Sequence, residues 1–275
     1  MKAIPKIIHY CWFGKSPKPE IFEKCYQSWK TYAPDYEIIE WNEENFDIQK
    51  FPFVKQAYDN KKYAFVSDVA RLSIVYEHGG VYLDTDVELR APLDTFLKDE
   101  CFFFFQNIQY VNTGLGFGAV AMQPALKHLL NDYANRSFDM EHMAELSCPR
   151  LNTAVFERML PGFLPNNTQQ ILCGIHFYDT TVYDIHAVHH DQFSWMSEEQ
   201  RDALRFMRKR RPNYRLREAL RNPKIFLWFD KFKLKKLRKL YLFAVYDLIE
   251  YGFLYWCYRI FQKIKSKFKY TLSGR

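Results

Sequence analysis

Cysteine is sparse and unpatterned: Cys11, Cys25, Cys101, Cys148, Cys173 and Cys257 make no C-x-x-C pair and no spacing suited to zinc. They read as ordinary thiols of a reducing compartment. The opening MKAIPKIIHYCWFG has too short an apolar stretch for a signal peptide, with Pro5 and His9 where that stretch should lie, so secretion by that route is not expected. Asn135 and Asn166 stand in N-x-S/T triplets, which without a secretory route are chance matches. No glycine pattern has dinucleotide or P-loop spacing, no internal repeat is evident, and no recognised nucleic-acid motif occurs. Aromatic residues, by contrast, are abundant: 25 Phe, 19 Tyr and 6 Trp make up 18% of the chain, and hydrophobic residues 48%. General disorder is thereby excluded. The 275 residues suffice for one full α/β domain plus an appendage.

Charge divides the chain in two. The net +7 conceals a segment, residues 201–275, with 22 Lys and Arg against 5 Asp and Glu, while the first 200 residues carry 17 against 27. An acidic body with a basic appendage points to an anionic partner of the appendage, either nucleic acid or a membrane surface.

Along the body, strand and helix signals alternate. KIIHYCWF over 6–13 reads as a buried strand, Glu20 to Tyr32 as an amphipathic helix ended by Ala33-Pro34-Asp35, and Tyr36 to Trp41 as a second strand. A parallel βαβ start follows. Between Tyr63 and His78, Phe65, Val69, Leu72 and Tyr76 share one narrow helical stripe, and Gly79-Gly80 supply the left-handed stop. Strands are expected at Val81 to Leu83, Cys101 to Gln106 and Gly116 to Ala121, with helices after Pro124 and Pro149.

VYLDTDVEL then places two carboxylates, Asp84 and Asp86, where a hydrophobic strand runs out. In an extended chain residues i and i+2 point to one side, and open α/β sheets build ligand sites at the carboxyl ends of their strands. Two like charges there suit Mg²⁺ or Mn²⁺. D-x-D is also common in solvated turns, and a strand ending in it can open a haloacid-dehalogenase phosphatase; that motif carries Thr or Val where this chain has Glu88.

The longer pattern is more specific. IPKIIHYCWFG, SDVARLSIVYEHGGVYLDTDVEL and a late HHDQFSW resemble glycosyltransferase family 32, the D-x-D sugar-binding-region enzymes related to capsular polysaccharide and yeast mannosyl transferases, over roughly residues 4 to 195. The middle motif is also similar to the donor-binding core of the large glucosylating bacterial toxins. The resemblance implies a GT-A-like Rossmann-type α/β fold, a divalent metal, a nucleotide diphosphate sugar donor and retention of anomeric configuration.

By position, the resemblance gives Trp12 a stack on the donor nucleobase, against its reading as a core aromatic. It gives Asp68 the donor sugar hydroxyls and Arg71 the diphosphate or the sugar, against a bland ion pair three residues apart on one helix. His189 or His190 completes the metal site with Asp84 and Asp86, Asp191 being a third candidate, and Ser194-Trp195 closes over the donor. Asp191-Gln192-Phe193 departs from the family's commoner aromatic-Gly pattern at that place. Within V-N-T-G-L-G-F-G-A, residues 111–119, Asn112 is an acceptor-side candidate, although a tight turn into a strand also explains the glycines.

The tail alternates cationic clusters with an aromatic block from Leu240 to Phe261. Asp247, Glu250 and Arg259 interrupt that block, each costing about 2.5 to 3.5 kcal/mol at a bilayer centre, so an interfacial helix on anionic headgroups fits better than a span. Packing against the body and a nucleic-acid role are the other readings. The expected organisation is a GT-A-like catalytic domain over 1–200 and a basic, aromatic-rich helical extension over 201–275. The expected function is hexose transfer, with a UDP-sugar as default donor, to a glycan or lipid-linked acceptor in bacterial surface polysaccharide synthesis, at the inner face of the cell membrane. The alternative is a non-catalytic membrane- or nucleic-acid-binding protein.

Overall fold

The computed structural model describes residues 3–190; the expectations for Asp191, Ser194, Trp195 and the basic extension lie outside them. Alternation of strand and helix gives nine strands and six α-helices among the described residues. The expected α/β class holds.

β1 (Ile7–Cys11), α1 (Glu20–Tyr32) and β2 (Glu37–Trp41) form the parallel βαβ unit read from the sequence. Glu20 and Glu23 in the first turn of α1 and Lys30 in its last complement the helix dipole. After α2 (Pro52–Asp59) and α3 (Tyr63–His78), β3 (Gly80–Tyr82) adds to the other side of β1, also in parallel. Gly79 and Gly80, at φ 69° and 101°, make the sharp entry into β3 that a side chain would resist.

The sheet then departs from an all-parallel pattern. β6 (Phe117–Ala119) runs antiparallel between β3 and β5 (Cys101–Phe104), and β8 (Ile175–Tyr178) and β7 (Gln170–Leu172) complete a seven-stranded order β2-β1-β3-β6-β5-β8-β7. The short β4 (Val87–Leu89) pairs instead with β9 (Ala187–His189), antiparallel, in a separate two-stranded sheet.

Strand periodicity sorts the core onto two faces. Cys101 and Phe103 of β5 join α3, α4 (Pro124–Ala134) and α5 (Cys148–Met159), whereas Phe102 and Phe104 join α1 and α6 (Thr180–His186). Each buried Phe removes apolar surface worth about 1.5 to 3 kcal/mol. The narrow stripe expected on α3 is a correction: α3 is buried from Phe65 to Val75 on nearly every side, Asp68 and Arg71 included, and Tyr76 is only partly covered. Because α3 lies between the sheet and both α2 and α4, it has no solvent face in its middle turns. None of the described helices is long and apolar enough to cross a membrane.

Candidate active site

The D-x-D occupies a turn, not an extended strand. β3 ends at Tyr82, and the Val87 amide donates back to the Asp84 carbonyl at 3.0 Å, so Asp84 to Val87 reverse the chain before β4 begins. The two carboxylates therefore converge through this turn and not through strand alternation. β9 approaches antiparallel with His189 opposite Val87, and the His190 amide donates to the Asp86 carbonyl at 2.9 Å. That register sets His189 Nε2 at 3.1 Å from Asp86 Oδ1.

Ligand atoms of Asp84, Asp86 and His189 lie within 4.8 Å of one another. Two carboxylate oxygens and one imidazole nitrogen make a donor set that suits Mn²⁺ or Mg²⁺. Burial pushes the Asp84 carboxyl up and the neighbouring Asp86 charge adds to this, while Arg71 and His189 oppose it. A cation would relieve that repulsion. His190, the other candidate, points its chemistry elsewhere: Nε2 lies 2.8 Å from Glu88 Oε2, which also accepts from Lys24 Nζ at 2.8 Å.

Asp68 and Arg71 form a buried ion pair, with Arg71 only 2% exposed. Its Nε donates to Thr113 Oγ1 at 2.9 Å, its Nη1 to Asp84 Oδ1 at 3.1 Å, and its Nη2 to Asp68 Oδ1 and to Cys148 Sγ at 2.8 Å. The bland surface pair is thus ruled out by burial. So engaged, the guanidinium holds two carboxylates in place, a different task from lying open to a diphosphate. Burial pushes the Asp68 carboxyl up to about 6, although Arg71 works against it. The Tyr82 hydroxyl donates to Asp84 Oδ1 at 2.9 Å. Both Arg71 and Tyr82 thereby fall on Oδ1, leaving Oδ2 as the oxygen of Asp84 available to a cation.

Trp12 follows β1 at its carboxyl end, half-buried and outside both core clusters. Its Nε1 donates to the Ser16 carbonyl at 2.8 Å, which fixes the indole against the loop that follows.

Several residues escaped the sequence reading. Thr113 and Cys148 hold Arg71, Asn152 holds Thr113, Tyr82 steadies Asp84, and Glu88 fixes His190. The sequence signal for two of them is polar residues at i and i+4, Cys148 and Asn152, on an otherwise apolar helix face. Asn112 is buried, with Oδ1 accepting from the Gly114 amide at 2.7 Å and from the Cys148 thiol at 3.3 Å. Burial keeps that thiol protonated and hence a donor.

The model of the family described as "Glycosyltransferase sugar-binding region containing DXD motif" matches residues 19–103, a stretch that holds Asp68, Arg71, Asp84 and Asp86. Over that stretch the chain is similar to the D-x-D glycosyltransferases. Among similar proteins, inositol phosphoceramide mannosyltransferase 3 of Schizosaccharomyces pombe is 37% identical over 99 residues, 34% of this chain and 28% of that protein. An uncharacterized glycosyltransferase of Acanthamoeba polyphaga mimivirus is 29% identical over 171 residues, 60% of this chain and 67% of that one. The chain spans 28% to 46% of the length of the fission-yeast relatives it matches. Among solved structures, the PaToxG glycosyltransferase aligns with a TM-score of 0.48 at 15% identity, covering 58% of this chain and 71% of that one.

Proposed function

We propose that this protein is a metal-dependent hexosyltransferase that cleaves a nucleotide diphosphate sugar, a UDP-sugar by default, with retention at the anomeric carbon. The convergence of Asp84, Asp86 and His189 beside the buried Asp68–Arg71 pair carries the reading. Asp84 Oδ2, Asp86 and His189 would hold Mn²⁺ or Mg²⁺, and a cation there stabilises negative charge on a departing diphosphate by several kcal/mol. Arg71 fixes the Asp84 and Asp68 carboxylates, Asp68 accepts from sugar hydroxyls, and Trp12 stacks on the base. Ser194 and Trp195 close over the donor.

The acceptor in this reading is a glycan or a lipid-linked sugar presented at an anionic membrane surface, with the basic residues 201–275 holding the catalytic domain there; nucleic acid is no partner. Relatives whose names give an acceptor act on inositol phosphoceramide, which favours a lipid-borne acceptor and lends a bacterial capsule no particular support. The protein works in the cytoplasm, peripheral at the membrane's inner face. A thermal-shift panel of UDP- and GDP-sugars, each with and without Mn²⁺, tests the donor claim. Stabilisation by at least one sugar nucleotide only when Mn²⁺ is present is expected; no shift with any of them refutes it.

A further inference from the structure

We propose that the amino-terminal half of α5 positions Asp84, the first D-x-D carboxylate, and Asp68 through a two-link relay, Asn152 to Thr113 to Arg71, which makes Thr113 and Asn152 positioning residues of the reaction. The proposal rests on the donor-site reading above. Three consecutive residues of the loop after β5 are each tied to α5. The Val111 amide donates to Thr153 Oγ1 at 2.9 Å, Asn112 Oδ1 accepts from the Cys148 thiol at 3.3 Å, and Thr113 Oγ1 accepts from Asn152 Nδ2 at 3.0 Å. The same Thr113 oxygen accepts from Arg71 Nε at 2.9 Å. Both of its lone pairs are used, one toward the helix and one toward the site.

Guanidinium is planar and rigid, so fixing Nε fixes where Nη1 and Nη2 can reach. Thr113 thereby sets the aim of the bonds to Asp84 Oδ1 and Asp68 Oδ1. Thr113 and Asn152 are each 0% exposed, so water cannot replace a lost partner. Asn152 shows the cost of the arrangement: its Oδ1 is buried with no partner. A leucine would pack there without an orphan acceptor, which leaves the Nδ2 donor as what the asparagine contributes.

The test uses the full chain with Thr113→Val, which keeps shape and loses the acceptor, Thr113→Ser, which keeps the acceptor, and Asn152→Leu. Binding of Mn²⁺ alone is followed by its electron paramagnetic resonance signal, hydrolysis of UDP-glucose and GDP-mannose gives kcat and KM, and melting reports the fold. Thr113→Val is expected to lower Mn²⁺ affinity and kcat by about 10- to 100-fold, the scale of a small misplacement near the chemistry, with little change in KM. Thr113→Ser keeps both within about twofold, and Asn152→Leu loses part of each without melting earlier. A folded Thr113→Val with wild-type Mn²⁺ affinity and kcat overturns the relay, as does a Thr113→Ser that loses as much as Thr113→Val. Where Thr113→Val fails to fold, Asn152→Leu with unaltered melting and unaltered Mn²⁺ affinity overturns it. Wild type that binds Mn²⁺ but hydrolyses neither donor sinks the transfer reading alone, since the Mn²⁺ titration still judges the relay; wild type that does neither sinks both.

Discussion

Gly114 is where the smallest possible addition should reach the site without disturbing the fold. A Cβ built there would stand 2.5 Å from Asp84 Oδ2 and 3.0 Å from Asn112 Oδ1. Ordinary contact begins at 3.4 Å, so the carboxylate oxygen has to retreat by about 1 Å. Its Oδ1 is pinned by Arg71 and Tyr82, so the carboxylate must rotate or drag those bonds with it. Gly114 is not among the positive-φ glycines, so alanine meets no backbone penalty. A 1 Å misplacement costs about 10²-fold in rate, or roughly 2.7 kcal/mol of barrier. Gly114→Ala is therefore expected to lower Mn²⁺-dependent release of nucleoside diphosphate by about that factor while the urea midpoint moves by less than the equivalent of about 1 kcal/mol. Gly162 supplies the opposite case: at φ 86° with nothing within 4 Å, its alanine variant is strained but touches nothing. Gly162→Ala should lose about 1 kcal/mol of stability and no activity. Wild-type turnover in Gly114→Ala, or an activity loss in Gly162→Ala that matches it, would refute the reasoning.

Trp12→Ala should weaken calorimetric binding of free nucleoside diphosphate by about 1 to 3 kcal/mol, the worth of one stacked base; unchanged affinity returns Trp12 to a purely local role. His9 gives a pH signature. The Trp41 indole can only donate, at 3.1 Å to Nδ1, so His9 is neutral and its Nε2–H donates to the Gly79 carbonyl at 2.8 Å. Burial holds its pKa down to about 4 against 6.5 ordinarily. The unfolded chain thus binds the proton first, so the stabilisation is present above about pH 6.5 and lost as pH falls toward 4. Between pH 7 and pH 4.5, His9→Gln should lose about 2 to 3 kcal/mol less than wild type in urea unfolding; equal losses sink the argument. Deleting residues after 220 is expected to move the protein from the membrane to the soluble fraction with donor binding retained, and a full-length chain that ignores anionic liposomes at low salt removes the membrane role.

What the sequence made legible follows from the range of the forces involved. α1 begins where read because Pro19 and its first-turn acids act locally, and α3 ends where read because Gly79 does. The D-x-D and its His were legible as a motif, but the choice of His189 over His190 depends on the β4–β9 register, a pairing about 100 residues apart that no local signal carries. For the same reason the antiparallel insertion of β6 and the hold of Thr113 and Cys148 on Arg71 were not readable. α2 was missed because eight residues behind Pro52 offer little periodicity. The stripe on α3 was too narrow because a helix covered on all sides carries polar residues, Asp68 and Arg71, that mimic a solvent face when partnered only through the fold.

In the proposed mechanism a cation held by Asp84, Asp86 and His189 is required to break the bond between sugar and diphosphate. The direct measurement is release of nucleoside diphosphate from the best donor in wild type and Asp86→Ala, each in EDTA and after Mn²⁺ add-back. Wild type should be silent in EDTA and restored by Mn²⁺, and Asp86→Ala should melt as wild type does while its rate stays at least about 10² to 10³ lower, the scale for losing one electrostatic stabiliser. Full turnover in EDTA, or an Asp86→Ala protein as active as wild type, would contradict it.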